Sequence, residues 1–177
     1  MTSLVEIWKD NNTDKVLNGF AELYDKLFGP IREDVRSILE IGIDQGWSIK
    51  GWREFFPNAT IFAVDIREEA VSTVRNDWHT IALVGDVTDR EFMRDTFCRS
   101  RYDIVIDDGS HYNTDVFNAF EQLWPRVKSG GYYFVEDIQC PEWDRDHPRI
   151  IEWFAEFADK ESLVAEFRWN ILYLRKP

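Results

Sequence analysis

Asp107-Asp108-Gly109-Ser110-His111 brings two carboxylates, a hydroxyl and an imidazole into five positions, and Glu136-Asp137 adds two more carboxylates downstream. These are the groups of acid–base and ligating chemistry, and each set follows an apolar run: Ile104-Val105-Ile106 before the first, Tyr132-Tyr133-Phe134-Val135 before the second. Such runs read as strands covered on both faces. In an open α/β sheet ligands bind beyond the carboxyl ends of the strands, so acids there are placed for function. Each residue also has an ordinary use. Asp107 and Asp108 suit a helix cap or turn, and Glu136-Asp137 suit a solvated loop.

Three earlier apolar runs end in the same way. Ser37-Ile38-Leu39 leads to Glu40 and then to a loop with Gly42 and Gly46, ahead of a helix over 48–56. Glycine there permits φ > 0 and close approach of a ligand, and the helix start offers N–H groups to it. The loop lacks the dinucleotide fingerprint Gly-x-Gly-x-x-Gly, because Asp44 stands where a glycine is required. A nucleoside without a pyrophosphate fits better. The strand 59–65 ends in Asp65, which suits ribose hydroxyls and equally the cap of a helix beginning near Arg67. The strand 80–86 ends in Asp86, a candidate acceptor for an exocyclic amine.

Positioning these acids requires helices between the strands. Apolar spacing predicts one over 14–28, ended by Gly29-Pro30 and capped from Asn11, Asn12 or Thr13. Another follows Asp89, with Phe92, Met93, Thr96 and Phe97 inward, and a third covers 114–127, its last turn tightened by Pro125. Gly130-Gly131 should break the chain before the strand 132–137. A helix over 150–158 precedes two strand-like runs, 162–169 and 171–174, joined around Asn170 as an antiparallel hairpin. The expectation is an α/β protein with a mainly parallel sheet whose last strand is antiparallel.

The formal charge of −12 argues against binding a phosphate backbone, so no nucleic-acid partner is expected. With 177 residues and 44% apolar composition the chain suits one domain, 1–177, opening with a helical segment over 1–30. No signal peptide or membrane span is read, which makes the cytoplasm the default. Cys98 and Cys140 are too few and isolated for a disulfide framework and receive no role.

Thr13-Asp14-Lys15, Leu39-Glu40-Ile41-Gly42-Ile43 with Ser48 and Trp52, Asp107 to His111, and Gly130-Gly131 leading to Glu136-Asp137 occur in one order. In this the chain resembles class I S-adenosylmethionine-dependent methyltransferases, and more closely the metal-dependent sugar O-methyltransferases of macrolide biosynthesis, of the mycinamicin and macrocin type. The resemblance implies a Rossmann-like fold with a seven-stranded sheet and helices on both faces. It implies S-adenosyl-L-methionine contacts at Glu40, Gly42, Gly46, Ser48, Asp65, Ile66, Asp86, Val87 and Asp107. It also implies Mg²⁺ or another divalent cation on Asp108, Glu136 and Asp137, with His111 as general base. Hard oxygen ligands suit Mg²⁺, and an imidazole with an ordinary pKa of about 6.5 suits proton transfer near neutral pH. The acceptor implied is a small molecule with a hydroxyl or diol.

Against larger relatives the chain is close to the cofactor-binding core alone, so the added amino-terminal domain or long lid that selects the acceptor is expected to be missing or minimal. Asn18-Gly19-Phe20 replaces a His-Gly-Tyr-like sequence. Asp14 and Lys15 remain open between a helix start and an approach to the methionine end. Two other classes share some features: a nicotinamide-dependent oxidoreductase, disfavoured by the missing fingerprint, and a non-catalytic partner protein retaining the fold. A homodimer is compatible with all three.

Overall fold

The apolar runs become strands in the computed structural model, which describes residues 2–9, 13–138, 150–168 and 170–177. The chain divides into two units, residues 1–85 and 86–177. Asn11, Asn12, Cys140 and Trp169, which figure in the expectations above, lie outside the described residues.

In residues 1–85, β1 (Ser37–Ile41), β2 (Thr60–Asp65) and β3 (Thr80–Val84) pair in parallel in the order β3-β2-β1. Every residue of β1 is buried, as a strand covered on both faces requires. β3 stops at Val84, two residues short of the expected Asp86. Its side chains are only half covered, with Ile81 and Val84 exposed.

Four helices accompany them: α1 (Leu4–Lys9), α2 (Phe20–Phe28), α3 (Trp47–Phe55) and α4 (Glu68–Ser72). The predicted helix over 14–28 forms only from Phe20. Gly19 takes φ 72°, a left-handed conformation that ends the turn over 14–19 and lets α2 start afresh. Leu17, counted on the apolar face, is 90% exposed, whereas Lys15 is buried. Thr13 serves that turn rather than α2, its Oγ1 accepting from the Lys15 N–H at 3.4 Å.

The apolar faces of α1, α2 and α3 meet in an aromatic cluster. Trp52 lies edge-on to Trp8 and Tyr24, with ring centroids 4.5 and 5.2 Å apart, and Tyr24 stacks on Phe28 at 5.4 Å. Edge-to-face and offset pairs of this kind contribute about 0.5–1.5 kcal/mol each beyond their buried area. Gly51 is what allows α1 so close, because a Cβ there would run into the Trp8 indole.

In residues 86–177 the order is β4-β5-β7-β6. β4 (Tyr102–Asp107) and β5 (Val127–Glu136) are parallel, whereas β7 (Ile171–Arg175) runs antiparallel to both β5 and β6 (Ala165–Arg168). The expected hairpin around Asn170 is therefore present. Gly130-Gly131 does not break the chain as predicted; β5 runs through it with a register irregularity opposite Tyr102–Ile104. Glycine is needed there because Gly130 sits at φ 77° and a Cβ on Gly131 would lie 2.7 Å from the Asp103 carbonyl oxygen.

Three helices complete this unit: α5 (Arg90–Phe97), α6 (Asn113–Leu123) and α7 (Ile150–Lys160). Asp89 caps α5, accepting from the Glu91 and Phe92 N–H groups. Met93 and Phe97 are buried as expected, but Thr96 is exposed. Pro125 sits in a tighter 3₁₀ turn, Trp124–Arg126, that follows α6. Cys98 is exposed. Among the described residues no helix is long and apolar enough to cross a membrane.

Replacing Gly51 with Ala should overpack the α1–α3 contact and lower stability by about 1–3 kcal/mol. The check is the urea midpoint, with an unchanged slope.

Candidate functional site

β4 delivers Asp107 at its end, and the chain turns through Asp108-Gly109-Ser110-His111 before α6. The capping alternative does not hold for either acid. Tyr112 occupies the cap position, and the Ser110 hydroxyl donates to Asp115 in the first turn of α6 at 2.6 Å. His111 is held at φ 59°, and Asp137, just past β5, at φ 54°. Left-handed backbone costs a non-glycine residue about 1–3 kcal/mol and persists only where its surroundings over-determine it.

The two strained residues face each other. His111 Nε2 lies 3.9 Å from Asp108 Oδ1 and 3.9 Å from Asp137 Oδ2, and one ligand atom from each of the three falls within 4.8 Å of the others. All three are partly buried. Two hard oxygens converging in a half-sheltered place suit a divalent cation, with an imidazole nitrogen beside them. Glu136, expected beside them, is buried at the end of β5 and is not part of this group of three. The other oxygen of Asp137, Oδ1, accepts from the Asn170 side-chain amide.

Asp107 is separated from Asp108 by burial. Burial pushes its carboxyl up to about 7, the Asp108 charge adds to that, and hydrogen bonds from the Gly109 N–H and the Tyr133 hydroxyl oppose it. The Tyr133 hydroxyl donates to Asp107 Oδ2 at 3.4 Å. Near neutral pH this carboxyl divides between acid and carboxylate, unlike a fully ionised ligand.

In residues 1–85 the loop after β1 is held by Asp65. Its Oδ2 accepts from the backbone N–H of Ile43 at 2.9 Å and of Asp44 at 3.4 Å, while Oδ1 accepts from the Arg67 N–H at 2.9 Å and Arg67 Nε at 3.3 Å. The position before α4 is taken by Arg67, so Asp65 bonds the residue that precedes this helix instead of capping it. Gly42 and Gly46 take φ 87° and 76°, with Asp44 between them at 46°. A side chain at Gly46 would also collide with Val74 and Thr73. Gly46 precedes α3 without any side-chain cap, and Ser48 is buried in the first turn.

Glu40 is 0% exposed and enclosed by protein. Its Oε2 accepts from Trp52 Nε1, and its Oε1 lies 3.7 Å from Nζ of Lys15, which is 2% exposed. Lys15 thus belongs to the end of β1 rather than to a helix start. Apolar spacing hid this, because it ran a helix from residue 14 that begins only at Phe20. Ile66, by contrast, presents an apolar side chain 67% exposed immediately after Asp65. Asp86 is exposed and turns the chain, its Oδ1 accepting from the Thr88 N–H and hydroxyl; Val87 is partly buried.

A family model described as a methyltransferase domain matches residues 39–138, which include the loop after β1 and the Asp108, His111 and Asp137 group. The chain belongs to this family. The mycinamicin VI 2''-O-methyltransferase of Micromonospora griseorubida is 36% identical over 72% of this chain and 33% of its own length. The demethylmacrocin O-methyltransferase of Streptomyces fradiae is 33% identical over the same shares. Among solved structures, the methyltransferase MycE from the mycinamycin biosynthetic pathway, in complex with Mg and SAH, matches 99% of this chain and 55% of its own with a TM-score of 0.87 and 27% identity. The chain spans about a third of the length of these curated relatives and about half of the solved one. The resemblance to macrolide sugar O-methyltransferases is borne out, and the fold is the Rossmann-like methyltransferase fold with a mixed seven-stranded sheet.

Two outcomes follow from the geometry of residues 1–85. Burial pushes the Asp65 carboxyl up, but the N–H groups of Ile43 and Arg67 and the Arg67 guanidinium outweigh it and hold the carboxyl below its usual value. A depressed folded pKa stabilises above the unfolded value of about 4 and loses that contribution as pH falls through the folded value. Asp65→Asn should therefore cost about 1.5–3 kcal/mol near neutrality, and denaturation curves should show the gap from wild type closing below about pH 4. Lys15→Met should strand the Glu40 charge and cost about 3–5 kcal/mol, with most of it regained in the Lys15→Met/Glu40→Gln double variant.

Proposed function

We propose that this chain is the catalytic core of a divalent-cation-assisted, S-adenosylmethionine-dependent O-methyltransferase acting on a hydroxyl of a sugar or of a hydroxylated small molecule. The observation that carries this reading is the convergence of Asp108, His111 and Asp137 in a chain of the methyltransferase-domain family. The relatives' names support the acceptor class, since they specify O-methylation in mycinamicin VI and demethylmacrocin. One structure of MycE is a complex with Mg, SAH and mycinamycin VI. None of these comparisons favours the oxidoreductase alternative.

In this reading Asp108 and Asp137 hold the cation, with Glu136 as the further carboxylate that the family pattern supplies. When bound, a divalent cation supplies Lewis-acid chemistry and a template that orients a substrate diol. His111 Nε2 takes the hydroxyl proton, and the carboxylate oxygens 3.9 Å away balance the positive charge it then carries. When bound, S-adenosylmethionine would supply the methyl group, the hydroxyl oxygen gaining the methyl carbon as the carbon–sulfur bond breaks with release of S-adenosylhomocysteine. Holding both reactants in line supplies much of the acceleration.

For the cofactor, Gly42 would give a side-chain-free approach to the loop, Gly46 would shape it by packing on Val74 and Thr73, Ile66 would cover an apolar face of the base, and Asp65 and Ser48 would be the ribose-side acid and the hydroxyl that the family pattern supplies. Glu40 acts from behind, by fixing Lys15 and Trp52 against the end of β1. Asp86, Val87 and Asp107 are carried as cofactor contacts on the family pattern.

The test is calorimetric titration with S-adenosylhomocysteine, with and without Mg²⁺, followed by turnover on hydroxylated acceptors. Asp108→Ala should lower cation-dependent turnover by at least about 100-fold, at or beyond the upper end of losses seen when groups supporting a metal ligand are removed, while cofactor affinity stays within about twofold. Absence of cofactor binding by the wild type would sink the proposal.

A further inference from the structure

The hairpin between β6 and β7 supplies a residue to the Asp137 carboxylate that neither the motifs nor the family pattern assigns. β5 and β7 pair antiparallel with Glu136 opposite Ile171, so the next positions along the ladder are Asp137 and Asn170. Two hydrogen bonds join the strands here. The Asn170 side-chain amide donates to Asp137 Oδ1 at 2.5 Å, and the Ile138 N–H donates to the Asn170 carbonyl at 3.2 Å. The backbone bond fixes Asn170 against the residue after Asp137, and the side-chain bond fixes the carboxylate itself.

We propose that Asn170 is a positioning residue for the cation, orienting Asp137 so that Oδ2 is the oxygen presented to it. This inference rests on the cation reading of Asp108, His111 and Asp137. With Oδ1 engaged by Asn170, Oδ2 is the oxygen that lies 3.9 Å from His111 Nε2. An unsupported carboxylate on a left-handed residue at φ 54° would be free to rotate about its side-chain bonds. The amide removes that freedom.

The choice of an amide is informative in two ways. A lysine or arginine at the same place would also donate to Oδ1, but its charge would neutralise the carboxylate and compete with the cation. Asparagine donates while leaving the negative charge for the ion. The turn does not itself demand asparagine: among the described residues the non-glycine positions at positive φ are Asp44, His79, His111, Asp137 and Ser162, and Asn170 is not one of them. Partners that orient ligating carboxylates commonly change metal affinity by about 10- to 100-fold when removed.

The experiment is a Mn²⁺ titration of the metal-free chain, followed by calorimetry or by the paramagnetic resonance signal of free Mn²⁺, on wild type, Asn170→Ala and Asn170→Leu. Leucine keeps the branching at Cγ without a donor if alanine disturbs the hairpin. Both variants should bind Mn²⁺ about 10- to 100-fold more weakly than wild type, while S-adenosylhomocysteine affinity and the melting temperature in chelator stay at wild-type values. Mn²⁺ affinity within twofold of wild type in a folded variant overturns the positioning role and leaves the cation site standing. Equal losses of Mn²⁺ affinity, cofactor affinity and melting temperature also overturn it, because they mark a structural role alone. A wild type that takes up no Mn²⁺ overturns the cation site and this inference together.

Discussion

A carboxylate withdrawn from water needs donors to replace the water it loses, and one left without enough of them either takes a proton or takes a cation. That constraint sorts the strand-end acids of this chain. Glu40 meets it with Lys15 and Trp52, and Asp65 meets it with the N–H groups of the loop it closes. Asp107 meets it incompletely and shifts toward the protonated acid. Asp108 and Asp137 are only partly withdrawn and turn oxygens toward one imidazole. One kind of group at one kind of place thus yields a structural anchor, a loop clasp, a carboxyl with a raised pKa and a pair turned toward one imidazole.

The apolar architecture of residues 1–85 serves the first of these. A buried ion pair is a weak source of net stability, because desolvation consumes most of the attraction. The aromatic cluster of Trp8, Tyr24, Phe28 and Trp52 is tied to Glu40 through Trp52, which belongs to both the cluster and the hydrogen bond. The end of β1, from which the glycine loop departs, is therefore set by packing as much as by charge.

Much of this was legible in the chain. Alternation of apolar runs with helical spacing gives the strands and most helices, and the turn around Asn170 gives the antiparallel hairpin. The Asp-Asp-Gly-Ser-His and Glu-Asp motifs point to the place where Asp108, His111 and Asp137 meet. What escaped has physical reasons. Helix α1 is short, although Leu4, Ile7 and Trp8 carry the right spacing. The turn over 14–19 mimics helical periodicity, and only the left-handed Gly19 reveals the interruption. Lys15 stays open between a helix start and an approach to the methionine end because pairing with Glu40 is a tertiary event. Asn170 reads as a turn residue because its relation to Asp137 exists only once β5 and β7 are in register.

That register has a consequence for the order of events in folding. During synthesis Asp137 emerges well before Asn170, and between them lie α7 and β6. Pairing across such a sequence separation is slow relative to local structure, because the loop must close before any bond across it forms. In a nascent chain Asp108, His111 and Asp137 can all be present while Asp137 still has no partner from the hairpin. The Asp137 carboxylate therefore gains its Asn170 partner late, with the closing of the last hairpin onto the sheet.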